Sequence, residues 1–101
     1  MVMEVSDAKI IQKGNVLVDF YTTTCGPCKA LHPVLEEISK EFKNLTVAKV
    51  DVTQNPHVTQ MFGVMSVPTV MFLKDSKVQD VSYGFSGKNA LTSMVKKHLN
   101  A

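Results

Sequence analysis

The spacing of apolar and polar positions changes several times along the chain, and each change marks an element. Val2 to Val5 is a short apolar run that predicts a strand. Ser6 can cap a short helix reaching Lys13, which Gly14 can end. Val16 to Tyr21 (VLVDFY) is apolar on both faces apart from Asp19, the pattern of a strand buried on both sides. Thr22 to Cys28 (TTTCGPC) then turns into a helix in which Leu31, Leu35, Ile38 and Phe42 recur at helical spacing, with Val34 beside them. Lys29, Glu36, Glu37, Lys40 and Lys43 fall on its wet face, and His32 is expected on the exposed side as well. Pro33 lies inside this helix, where it lacks an N–H and crowds a carbonyl one turn back, so a kink is expected.

Thr46 to Val52 (TVAKVDV) reads as a second buried strand. Asn55-Pro56, followed by Gly63, frames a short helix with a cap, a first-position proline and a terminal glycine. Thr69 to Leu73 is a third strand after the first pair, and Lys74 to Lys77 turns it into Val78 to Tyr83 as a hairpin. Leu91, Met94, Val95 and Leu99 form the apolar stripe of a last helix. Met61, Met65, Met71 and Met94 lie in these apolar patterns and are expected to fill the core. Strands alternating with helices, then a hairpin and a helix, predict an α/β sandwich: one mixed sheet covered on both faces.

With 101 residues, 45% of them hydrophobic, the chain supports one core, and a single domain over 1–101 is expected. The net charge is +2, and all eleven basic residues are Lys. Without Arg, which makes the commonest base contact and grips phosphate with two bonds, nucleic-acid binding is disfavoured. No apolar stretch approaches the ~20 residues of a membrane span, and Met1 to Ile10 has no signal-peptide core. A cytoplasmic protein without a membrane partner is therefore expected.

The candidate chemistry lies in the two cysteines, Cys25 and Cys28. Their spacing at a helix start puts both sulfurs on one face, close enough to bridge, where free N–H groups and the helix dipole favour a thiolate. Cys25 is the earlier and is expected to be the more exposed of the two, so it reads as nucleophile and Cys28 as resolving thiol. Zinc binding, a structural disulfide and an iron–sulfur cluster shared across a dimer are the other readings. Zinc needs about four ligands, and only His32, His57 and His98 supplement the pair, none in a second paired motif. The loop is too short for a disulfide to add much stability, and a lone pair of thiols would need a second copy to hold a cluster. Redox chemistry is favoured, with no metal or other cofactor.

The ordered stretches VLVDFY, CGPCK, Pro33, VAKVDV, FGVMSVPTVMFLK and YGFSG resemble the thioredoxin family over essentially the whole chain. The resemblance implies the thioredoxin fold, a three-layer sandwich of about five strands and about four helices. It implies protein disulfide reduction through a redox-active Cys25–Cys28 disulfide, regenerated by a thioredoxin reductase, either an NADPH-dependent flavoprotein or a ferredoxin-linked enzyme. The alternative is a binding subunit of this fold whose cysteines are not required.

Carried over residue by residue, Asp19 matches a buried acid that relays the Cys28 proton, and Lys49 its basic neighbour. The strand pattern supports burial of Asp19, which shares a face with Leu17 and Tyr21. Pro68 matches a cis-proline facing the cysteines, with the Val67 backbone pairing to an extended substrate. Thr24, Gly26, Pro27, Val64, Gly84 and Phe85 line the implied docking surface, although core packing is the simpler expectation for Phe85 alone. Pro27 between the cysteines resembles reductive members. The family usually carries Trp where this chain has Thr24, a second family Trp position is Tyr21, and the chain has no Trp. A monomer is expected.

Overall fold

The computed structural model describes residues 2–6 and 13–99. The elements run β1 (Val2–Glu4), β2 (Asn15–Tyr21), α1 (Gly26–Glu41), β3 (Thr46–Asp51), α2 (Pro56–Met61), β4 (Thr69–Lys74), β5 (Lys77–Tyr83) and α3 (Lys88–Leu99). The helix expected between Ser6 and Lys13 lies outside the described residues, so three of the four expected helices are seen. All five expected strands form.

The sheet order is β1-β3-β2-β4-β5. β1, β3 and β2 run parallel, while β4 is antiparallel to β2 and β5 to β4. β2 is thus central, and its unbroken apolar pattern follows from cover on both faces. On one face Leu17, Val47, Val70 and Phe72 pack under Leu31, Leu35 and Ile38 of α1 and Leu91, Met94 and Val95 of α3. On the other, Val16, Val18, Phe20, Val50 and Met71 pack with Val58 of α2. Each such side chain contributes about 1.5–3 kcal/mol when fully buried. α1 continues through Pro33 to Glu41.

Two local expectations are corrected. Asn55 precedes α2 but makes no side-chain cap bond; its amide instead donates to the Asp51 carbonyl at 2.9 Å. The methionines also divide: Met71 and Met94 are buried, whereas Met61 is exposed and Met65 is 97% exposed. Met61 and Met65 fall at the end of α2 and in the loop after it, beyond the part of that layer anchored by Val58.

Candidate active site

β2 delivers the chain to the end of the sheet where parallel strands finish, the usual place for a site in an α/β fold. α1 begins immediately after Cys25, which takes the N-cap position with extended backbone. The Cys25 Sγ accepts the Cys28 N–H at 3.2 Å, filling the role a serine or threonine oxygen has at other helix starts. Pro27 lies in the first turn, where a missing N–H leaves no bond unmade. Cys25 and Cys28 are joined as a disulfide with Cα atoms 5.3 Å apart. Cys25 is half-buried and Cys28 is fully buried. In the reduced pair, a thiolate at Cys25 faces unpaired N–H groups and the positive end of the helix dipole.

Asp19 is 0% exposed on the face of β2 that also carries Leu17. Neither carboxyl oxygen has a hydrogen-bond partner among the described residues. Burial pushes its pKa from the ordinary 3.8 up to about 7; the Lys49 charge opposes that rise and Glu4 adds to it. Lys49 is the direct β3 neighbour of Asp19 in the strand register. Its ammonium pairs with Glu4 Oε1 at 3.6 Å and sits 5.5 Å over the Tyr21 ring. The Tyr21 hydroxyl donates to the same Glu4 oxygen at 2.6 Å, and burial together with this bond raises the Tyr21 pKa.

His32 departs from its expected place. Its ring turns toward the sheet, with Nε2 buried and 3.5 Å from Asp19 Oδ2. It meets the Tyr21 ring edge-on at 5.0 Å between centroids. Burial lowers its pKa, and Lys49 lowers it further. The signal was present in the spacing: His32 is four residues after Cys28 and three before Leu35, both buried, so it borders the apolar stripe of α1.

The peptide bond between Val67 and Pro68 is cis. Register pairs Phe20 with Thr69 and Thr69 with Tyr83, so Pro68 and Gly84 lie at the sheet end from which the cysteine turn leaves. The Gly84 N–H donates to the Pro68 carbonyl at 2.9 Å, from a backbone with φ of +74° that favours glycine. A Cβ added at Gly26 or Gly84 would meet no atom within 4 Å, so both backbones are open to an approaching chain. Thr24 is exposed and Val67 half-buried. Val64 packs against the α2 side of the core, and Phe85 against the α1 and α3 side. Sequence reasoning does not single out Tyr83, the 75% exposed β5 partner of Thr69.

A pair of cysteines held this way at a helix start can cycle between dithiol and disulfide, and the molecule is a thiol–disulfide oxidoreductase. Comparison with known proteins narrows the class. The thioredoxin family model matches residues 2–97. The thioredoxin of Bacillus subtilis is 47% identical over 88 residues, covering 86% of this chain and 85% of that one. That of Listeria monocytogenes is 42% identical over 103 residues, covering 98% of this chain and 100% of that one. Among solved structures, a mutant thioredoxin from Halobacterium salinarum NRC-1 matches with a TM-score of 0.86 at 30% identity, covering 95% of this chain and 88% of that one. The chain belongs to the thioredoxin family and is a protein disulfide reductase. It acts in general between a thioredoxin reductase and disulfide substrates. Among the described residues no helix is long and apolar enough to cross a membrane.

Proposed function

We propose that Cys25 attacks the substrate disulfide and Cys28 resolves the mixed disulfide that results. The observation that carries this reading is the contrast within the pair: Cys25, whose sulfur caps α1, is half-buried while Cys28 is fully buried. In the first step the Cys25 thiolate bonds to one substrate sulfur, and the other leaves as a thiolate that takes up a proton. In the second, Cys28 gives its proton to Asp19 and attacks the Cys25 sulfur. The Cys25–Cys28 bond forms, the bond to substrate breaks, and the second substrate thiol is released. Lys49 tunes the Asp19 proton affinity through its charge.

Lowering a thiol pKa from about 8.5 to about 7 raises the thiolate fraction at pH 7 by roughly 16-fold, while nucleophilicity falls about 5-fold. The net gain of about threefold is small, so positioning of the substrate disulfide supplies most of the rate. The docking surface in this reading is Thr24, Gly26, Pro27, Val64, Val67, Pro68, Gly84 and Phe85. Its support is the open backbone at Gly26 and Gly84. The Val67 backbone pairs with an extended substrate strand. The protein works as a single domain and as a monomer in the cytoplasm. It is re-reduced by an NADPH-dependent flavoprotein or a ferredoxin-linked reductase.

The test is insulin disulfide reduction together with trapping. Cys25→Ser and Cys28→Ser should both abolish turnover, and Cys28→Ser should accumulate a mixed disulfide on Cys25, read by mass spectrometry. An adduct formed instead on Cys28 of the Cys25→Ser variant would reverse the two roles.

A further inference from the structure

We propose that His32 is the proton-transfer partner of Asp19: it positions the buried carboxyl and connects it to a solvent cavity beside α1. The inference rests on the reading that Asp19 takes the Cys28 proton.

A buried carboxyl with neither oxygen hydrogen-bonded must still lose its proton once per catalytic cycle, so a path outward is needed. The imidazole is placed to provide one. Its buried Nε2 is 3.5 Å from Asp19 Oδ2 and has no hydrogen-bond partner among the described residues. Hydrogen bonds that serve catalysis are often long in the resting state and tighten when substrate is bound. The ring is 29% exposed and lines a cavity of about 270 Å³ with Val2, Leu35, Glu36 and Lys49. One end of the imidazole thus meets the acid and the residue as a whole reaches water. α1 places it one turn after Cys28, so the donor thiol and the imidazole share one face of the helix.

Among the described residues, the other titratable groups around the pair are Glu4 of β1, Tyr21 of β2, Lys49 of β3 and Glu36 of α1. The Lys49 charge disfavours an imidazolium, and Glu4 favours it. Burial raises Asp19 to about 7 and lowers His32 from its ordinary value, so the acid no longer lies far below the imidazole in proton affinity. In the resolving step the proton leaves Cys28 for Asp19 and passes to His32 Nε2. The imidazolium then releases a proton to the cavity, and Cys28 enters the new disulfide with its electron pair.

The experiment compares the parent with His32→Gln, which keeps a donor and an acceptor but cannot carry a proton, and with Asp19→Asn. Stopped-flow single turnover separates formation of the mixed disulfide from its resolution across pH 5 to 9, and carbon NMR titrates the Asp19 carboxyl. His32→Gln should slow resolution by about tenfold at pH 7, a modest part of the range for acid–base catalysis because cavity water also carries protons. It should also turn a two-step Asp19 titration, coupled to the His32 ring, into a single step. Imidazole added to His32→Ala should recover part of the rate. Resolution at the parent rate in His32→Gln, or equal slowing of both steps, overturns the role of His32 while Asp19→Asn stays slow. Should Asp19→Asn itself resolve at the parent rate, the reading of Asp19 fails, and the inference with it.

Discussion

Asp19 and Lys49 face each other across the parallel register of β2 and β3, yet the lysine ammonium pairs with Glu4 rather than with the aspartate. The sheet brings a positive charge near the buried acid without giving it a partner. Desolvation therefore dominates, and the carboxyl holds its proton up to about 7. A direct ion pair would have fixed Asp19 as a carboxylate, unable to hold a proton at neutral pH.

Asp19 should make the fold less stable as pH rises from about 4 to about 7. Its folded pKa is raised, so the unfolded chain binds fewer protons across that window and stability falls with increasing pH. Below the window both states are protonated and the cost vanishes; above it the cost is complete. A shift of this size corresponds to at most about 4 kcal/mol. Urea unfolding at pH 4 and pH 8 should show Asp19→Asn gaining about 1–3 kcal/mol on the parent between the two values. An unchanged difference between the proteins at the two pH values would show that Asp19 is solvated.

Lys49→Met should raise the Asp19 pKa further, because the lysine charge is what opposes desolvation. The His32 pKa should rise too, since Lys49 also depresses it. Carbon and proton NMR titrations check both directions in one sample, and the pH profile of mixed-disulfide resolution should move to higher pH. A downward shift at Asp19 would mean that the Lys49 stem, rather than its charge, governs the acid.

The strand pattern made the sheet legible because burial on both faces leaves little choice of residue: VLVDFY and TVAKVDV could be little else. Asp19 stood out for the same reason, as the one polar residue in an apolar run. His32 and the methionines were harder to read, because periodicity describes a face and not its border. His32 sits where the stripe of α1 meets water, and Met61 and Met65 continue an apolar pattern past the point where a layer covers it. The cis geometry at Pro68 has no local signal, since most X–Pro bonds are trans.

The methionines supply a direct check of that border. Met71→Ala should cost about 2–5 kcal/mol, because β4 buries this side chain against the α2 side of the core. Met65→Ala should stay within about 0.5 kcal/mol, since the side chain is 97% exposed. Chemical unfolding of both variants decides the matter; a loss above about 1 kcal/mol at Met65 would place that side chain against packed neighbours.

Thr24 should make this protein a weak partner for a thioredoxin reductase from a system whose thioredoxin carries Trp at this position. The residue is exposed just before the Cys25 cap, where a docked partner must pass to reach the sulfur. A Trp side chain buries about 150–250 Å² when fully covered, and a partner covering half of it hides about 100 Å². At about 25 cal/mol per Å², that contributes at most ~2.5 kcal/mol before ordering costs. Thr recovers about a third, which leaves a deficit of roughly 1–1.5 kcal/mol, or about tenfold in affinity. Thr24→Trp should therefore lower the KM of such a reductase by about tenfold. The rate with a small aromatic disulfide should move far less, because exchange at Cys25 needs only the thiolate and the helix start that favours it. A KM change under about twofold, worth less than ~0.4 kcal/mol, would mean that position 24 barely touches the reductase.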